Sequence, residues 1–245
     1  MIFERGEILY GRELCQKLEN AAVAVCGVGA VGGFAVEALA RLGVGEFRLF
    51  DFDVFDASNV NRQLCALTST QGRVKVEVQK QRILDINPAA KVYTRNVFID
   101  ENSLGEIFDP RPTVVVDAID TISSKVLLAK AAQGNSVALV SSMGAARRKN
   151  PLEVKTADIF KTYACPFAAR VRKELRTAGV SRGYKCVFSS EIPDASSHVS
   201  GAADKPADGG QSAPQKKVIG SSVIITGIFG LNLANLTLEE ISKAQ

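Results

Sequence analysis

The chain has 245 residues, 46% hydrophobic and 23% charged, the balance of a soluble globular protein long enough for one large domain or two small ones. A formal net charge of +4 is compatible with a nucleic-acid partner without demanding one. The five cysteines, at 15, 26, 65, 165 and 186, form no CxxC pair, which argues against a disulfide framework or a structural zinc site and for a reducing cytoplasm.

The start, MIFERGEILYGRE, carries charge early and has no apolar run, so it does not read as a signal peptide. Leu9, Leu14 and Leu18 among charges predict a short amphipathic helix within residues 1–20 that lies on another element. Ala22 to Cys26 is a continuous apolar run, expected of a strand buried on both faces. After GVGAVG, Val31, Phe34, Ala35, Ala38, Leu39 and Leu42 repeat at helical spacing until Gly43, and Glu46 to Phe50 is the next strand. This βαβ unit requires a right-handed crossover and a parallel sheet.

The alternation continues with a helix over Arg73 to Ile86, a strand over Lys91 to Phe98 and a short helix around Ser103 to Phe108. A buried strand over Thr113 to Ala118, a helix over Ser123 to Gln133 and a strand over Ser136 to Ser141 follow. The fold class is therefore α/β: a Rossmann-like, doubly wound, mainly parallel sheet, completed by a C-terminal extension of strands and helices. Residues 1–145 form the core unit and residues 146–245 a further part of the same domain. In that part a basic loop feeds a polar strand, Phe167 to Thr177 is a very basic helix, and Lys185 to Ser189 is a short strand. Residues 193–217 are rich in Pro, Gly, Ser and Ala and read as a mobile surface loop, which would leave His198, the single histidine, in solvent. Val218 to Leu236 carries no charge, a length that could span a bilayer, but its glycines, serines, threonine and asparagines favour a helix buried against the sheet or a dimer partner. Weak membrane association through 218–236 is the residual alternative to stable solubility.

The glycine turn follows a strand and opens a helix. Gly27 permits the tight turn, Gly29 lets phosphate approach the backbone, and Gly32 allows close helix–strand packing; exposed N–H groups and the helix dipole favour an anion there. Asp51 ends the second strand, where a carboxylate accepts from ribose hydroxyls. To this point NAD and ATP are equally served. The loop DFDVFDASNVNRQ then places Asp53, Asn59, Asn61, Arg62 and Gln63 near the carboxyl ends of the strands, and Lys75 follows on the next helix. Transfer from ATP needs such fixed cations on its phosphates; a dehydrogenase has little use for them. Asp120, ending DAID, is placed either to hold Mg²⁺ beside a triphosphate or to cap the next helix.

GVGAVG, the segment Asp51 to Gln63, Lys75 and DAID together resemble the ubiquitin-activating-enzyme-like adenylyltransferases, over roughly residues 8–145. The resemblance implies that Gly29 and Asp51 contact nucleotide and ribose, that Ser58, Asn59, Asn61 and Arg62 line the phosphates, that Lys75 reaches the phosphate chain, and that Asp120 holds the metal. It also implies a homodimer with the site at the two-fold interface. Ile8 stands where an arginine reaching into the partner's site is expected, with Arg5 and Arg12 as substitutes.

In the second half, LVSSMGAARRKNPLEVKTADIFKT, CPFAARVRKELR and KCVFSSE resemble the tRNA threonylcarbamoyladenosine dehydratases, as does LYG near the start. In that family ATP activates the carboxylate of the modified adenosine next to the anticodon, and the neighbouring carbamoyl nitrogen closes a ring with net loss of water. Some members carry a cysteine before the last apolar helix; QKKVIGSS has none. Cys186 sits in an apolar strand that raises a thiol's pKa, and Cys165, before Pro166, reads as the more accessible thiol. Two basic clusters suit tRNA phosphates: Arg147, Arg148 and Lys149, then Arg170, Arg172, Lys173 and Arg176. The bland reading of both is a solvated surface. The competing function is activation of a small ubiquitin-like or sulfur-carrier protein, with a sulfur-relay partner; the missing zinc pairs and the basic second half stand against it.

Overall fold

The structure, a computed structural model, describes residues 3–193, 196, 198–200 and 217–244, the side chains at 198–200, 217 and 218 excepted. Two helices open the chain, α1 (Glu4–Tyr10) and α2 (Arg12–Asn20). The single helix expected within residues 1–20 is split at Gly11, whose φ of +81° is a left-handed conformation that suits glycine. Leu18 is buried and Leu14 packs on the core, whereas Leu9 is 73% exposed; it is α2 that lies on the body of the protein.

Strands and helices then alternate: β1 (Ala22–Cys26), α3 (Gly32–Arg41), β2 (Glu46–Phe50), α4 (Lys75–Ile86), β3 (Lys91–Arg95), α5 (Leu104–Phe108), β4 (Val114–Asp117), α6 (Ile122–Gly134) and β5 (Ala138–Ser142). The second half adds β6 (Val154–Asp158), α7 (Pro166–Thr177), β7 (Lys185–Ser189), the short β8 (His198–Ser200) and β9 (Lys217–Ile219), and α8 (Val223–Lys243). One seven-stranded sheet runs β3-β2-β1-β4-β5-β7-β6. It is parallel except at its edge, where β6 pairs antiparallel with β7. The extension beyond residue 146 thus continues the same sheet.

Period-two alternation sorts the strand side chains between two cores. Val23, Val25, Phe47, Leu49 and Val116 face α3, α4 and α8, while Ala24, Cys26, Phe50, Val115 and Leu139 face α5, α6 and α7. Both faces are covered by helices, which is why these strands read as unbroken apolar runs. Each fully buried Val, Leu or Phe contributes roughly 1.5–3 kcal/mol.

Most element boundaries differ from the sequence reading by a residue or two, and three differences have a local cause. β3 stops at Arg95, not Phe98, where Asn96 turns its side chain to the end of β2; with its amide oriented to donate, it reaches the carbonyls of Asp51 (3.1 Å) and Phe52 (3.2 Å). α4 begins at Lys75, after Val74 bridges to Val54. α8 begins at Val223 and runs to Lys243, capped by the Ser222 hydroxyl, which accepts from the Ile224 N–H at 3.3 Å. By length and composition α8 could cross a membrane, yet Ile225, Phe229, Leu233 and Ile241 are wholly buried in the core. Most of the expected loop 193–217 lies outside the described residues; β8 and β9 pair antiparallel, and the His198 side chain is not described.

The chain leaves β1 towards β2 and β3, and leaves β4 towards β5 in the other direction. This reversal makes the carboxyl ends of β1 and β4 a topological switch point, where open α/β sheets form a ligand crevice.

Candidate functional site

The glycine turn occupies that switch point. Gly27 has φ +87°, and a Cβ there would lie 2.9 Å from the Ala118 carbonyl oxygen at the end of β4. A Cβ at Gly32 would lie 1.9 Å from the Gly27 carbonyl oxygen, so both glycines are demanded by the fold. Gly29 is different. Its nearest neighbour is the Gln63 side chain at 3.8 Å, an ordinary contact that would admit a side chain. Packing does not require glycine at 29.

Asp51, at the end of β2, is buried and ties this turn in place. Its carboxylate accepts from the Val28 N–H at 2.8 Å and the Asp53 N–H at 2.9 Å. Burial pushes its carboxyl up from the ordinary aspartate range, against the lowering effect of those two hydrogen bonds. Lys75, 4% exposed at the start of α4, pairs with Asp53 at 2.9 Å, and its N–H donates to the Asp53 carbonyl at 3.0 Å. A buried ammonium is thereby held at the same edge.

The loop bearing Ser58, Asn59, Asn61 and Arg62 opens with a 3₁₀ turn (Ala57–Asn59) closed by a capping box from Asp56. The Arg62 guanidinium donates to the Ser58 carbonyl at 2.6 Å and to Asn61 Oδ1 at 3.0 Å. Asn61 donates to the Ser221 carbonyl and the Thr226 hydroxyl to the Arg62 carbonyl, which fixes the loop to the start of α8. Gln63 is buried beside Gly29, and its Oε1 has no partner among the described residues.

Asp120 is exposed, with the Thr121 hydroxyl donating to it at 3.5 Å. The N-cap of α6 is Thr121, with no side-chain cap hydrogen bond, so Asp120 is not spent on capping. Ile119 N lies 3.2 Å from a Cβ at Gly27. The DAID turn thus abuts the glycine turn at Gly27, and Gln63, next to Arg62, reaches it at Gly29.

Sequence reasoning missed a buried cluster beneath this turn. Lys125 and Asp117 pair at 2.8 Å with both side chains at 0% exposure, and the Ser141 hydroxyl donates to Asp117 at 2.6 Å. The signal was present: Lys125 shares a helical face with Leu128, Ala129 and Ala132, the buried stripe of α6.

The basic residues divide. Arg147 lies at φ +62°, and its N–H donates to the Gly220 carbonyl at 2.9 Å, bringing this loop to the start of α8 beside the Arg62 loop. Arg148 does not present its charge to solvent as expected: it is 4% exposed, folded back on the carbonyls of Ala146 and Arg147, and its Nε has no partner among the described residues. Lys149 is exposed, as are Arg170, Lys173 and Arg176 on α7. Arg172 is half-buried and donates to the Thr162 hydroxyl. The start of α7 meets the same edge, since a Cβ at Gly144 would touch Phe167 at 3.1 Å.

Cys165 also departs from expectation. It is 3% exposed because its sulfur caps α7, accepting from the Ala168 N–H. Cys186 is fully buried, and burial pushes its thiol up to about 12. Neither sulfur is accessible to solvent.

The model of the ThiF family matches residues 4–244. A tRNA threonylcarbamoyladenosine dehydratase of Bacillus subtilis is 46% identical over 191 residues, covering 78% of this chain and 75% of that protein. An Escherichia coli protein of the same name is 32% identical over 243 residues, covering 95% and 90%. The crystal structure of E. coli tRNA N6-threonylcarbamoyladenosine dehydratase, TcdA, in complex with ATP matches with a TM-score of 0.86 at 30% identity, over 98% of this chain and 93% of that one.

Proposed function

The chain belongs to the ThiF family, and from that premise we propose that it is an ATP-dependent tRNA threonylcarbamoyladenosine dehydratase, acting on the modified adenosine next to the anticodon. The observation that carries the nucleotide half of this reading is the glycine turn met at Gly27 by the DAID turn and at Gly29, with no more than an ordinary contact, by Gln63 next to Arg62. The relatives supply the acceptor.

In this reading the α3 N-terminus and Gly29 receive the phosphates, Asp51 the ribose, and Arg62 with Lys75 the charge that builds on the phosphates as the substrate carboxylate is activated. Ser58, Asn59 and Asn61 line the same loop. The carbamoyl nitrogen then attacks the activated carbonyl carbon and loses its proton, the activated carboxylate oxygen departs on the phosphate taken from ATP, and the closed ring has lost the elements of one water. The nucleophile lies within the substrate, so the buried thiols are not needed. Mg²⁺, when bound, neutralises phosphate charge, and Asp120 would hold it. The donor fits such an ion: the Asp120 carboxylate is exposed and not used as the cap of α6, and Mg²⁺ beside a nucleotide is held by one or two carboxylates and the phosphates.

Residues 146–245 serve as the tRNA-binding part of the domain, through Lys149, Arg170, Lys173 and Arg176. The active form is a cytoplasmic homodimer without stable membrane insertion. Support for the dimer comes from α1, where Ile8 is 79% and Leu9 73% exposed; such apolar groups call for cover, and Arg5 or Arg12 beside them could enter the partner's site. Ile8→Glu with Leu9→Glu should then sediment as a monomer where the unsubstituted chain sediments as a dimer; a monomeric parent removes the idea.

The deciding assay incubates the chain with ATP, Mg²⁺ and tRNA carrying threonylcarbamoyladenosine, and follows the nucleoside by mass. Loss of one water that depends on ATP is the expected result. Turnover of ATP only with a carrier protein would sink the proposal.

A further inference from the structure

Lys125 is fully buried and its ammonium bridges three elements: α6, which carries it, Asp117 at the end of β4 (2.8 Å), and Ser141 on β5 (3.2 Å). Asp117 is saturated in turn. Its Oδ2 accepts from Lys125 and Ser141, and its Oδ1 accepts from the Ile119 N–H at 3.1 Å, inside the DAID turn. A buried ion pair is a poor stabiliser, because apolar side chains of similar volume do as well or better. It does fix geometry, and here the geometry fixed is that of the turn. Ala118 abuts Gly27 and Gly32, Ile119 is held by Asp117, and Asp120 follows. The helix start next to Asp120 has no side-chain cap; its anchor is Lys125, whose own N–H donates to the Thr121 carbonyl at 3.1 Å.

We infer that Lys125, with Asp117 and Ser141, is a positioning residue that locks the Ala118–Asp120 turn against the glycine turn and so holds Asp120 at the nucleotide's metal ion. This rests on the ATP and metal reading given above. The same bridge joins the turn to β5, which leads into the loop bearing Arg147 and Lys149, so the cluster sets the nucleotide side and the acceptor side of the crevice in one register.

The test uses Mn²⁺ as a spectroscopic stand-in for Mg²⁺, titrated by electron paramagnetic resonance into the full chain with saturating ATP. Ser141→Ala removes one hydrogen bond to each charge and leaves the pair. The double variant Asp117→Leu with Lys125→Met replaces the pair by apolar volume and frees the Ile119 N–H. The expected result is an Mn²⁺ dissociation constant raised about threefold in Ser141→Ala and at least tenfold in the double variant, with ATP affinity in EDTA unchanged. Amide exchange at Ile119 should also be accelerated in both. A purely structural role predicts lower melting temperatures with Mn²⁺ affinity unmoved, and that outcome overturns the inference. If the double variant does not fold, Ser141→Ala decides by the same criterion. Failure of the unsubstituted chain to take up Mn²⁺ with ATP would instead overturn the ATP and metal reading, and this inference with it.

Discussion

Asp51 keeps a carboxylate where burial disfavours its charge. Its folded pKa is raised above the unfolded value, so its contribution to stability is present below the unfolded pKa and lost as pH rises through the folded one; at neutral pH the ionised group is a cost. A ribose hydroxyl donating to it offsets part of that cost. ATP binding should therefore weaken on acidification from a higher pH than an ordinary aspartate would give. Asp51→Asn should flatten that dependence and weaken binding by about tenfold, the worth of roughly one hydrogen bond to a charged group. Calorimetric titration over pH checks both; a pH-independent affinity in the parent chain removes Asp51 from the ribose site. Arg62→Ala and Asp120→Ala act on chemistry. Each should lower turnover at least about 100-fold while moving stability by less than about 0.5 kcal/mol, because Asp120 is exposed and, among the described residues, the Arg62 side chain bonds within its own loop. Near-parental rates in either variant refute the phosphate-site assignment. As candidates these residues were legible in the sequence because each stands at a strand end or in a polar loop beside the glycine turn, positions that local spacing defines. Arg148, Cys165 and Lys125 were not, since their burial depends on which distant element packs over them.

The strands of the core were legible as elements for a related reason: a parallel sheet covered on both faces leaves its mark as runs such as AVAVC and VVVD. The antiparallel placing of β6 at the edge was not, because VKTAD is half-exposed and its pairing with β7 is fixed by tertiary contact rather than by its own pattern. α8 shows how an element far along the chain enters the site. It packs on α3 so closely that a Cβ at Gly230 would lie 2.5 Å from both Phe34 Cβ and the Val31 carbonyl oxygen. Gly230→Ala must push the two helices apart, at a cost of about 1–3 kcal/mol. Since Thr226 and Ser221 hold the Arg62 loop, ATP affinity should fall as well. Gly105→Ala in α5, where a Cβ meets nothing within 4 Å, should instead stabilise by up to about 1 kcal/mol. Urea denaturation separates the two; equal midpoints for Gly230→Ala and the parent would mean that α8 is not seated on α3 as described.

At the scale of the whole molecule, a net charge of only +4 leaves tRNA binding to depend on where the cations stand rather than on their number. Arg170, Lys173 and Arg176 recur every three residues on the exposed side of α7, a spacing that keeps neighbouring side chains on one helix face. At a rise of 1.5 Å per residue they extend about 9 Å along the axis, away from the end that meets the crevice at Phe167. A charge stripe of that length can follow a phosphate backbone. Arg172, tied to Thr162, and the buried Arg148 stand apart from it. Arg170→Glu with Lys173→Glu should weaken tRNA binding at least about tenfold at low salt and reduce the slope of log affinity against log salt by about 1–2, one lost phosphate contact per residue. ATP affinity should not change. Arg148→Ala should lower stability with the salt slope unmoved, because its guanidinium packs inside its own loop. Filter binding across a salt series reads all of these quantities, and an unchanged slope in the α7 double variant would take that helix out of the tRNA interface.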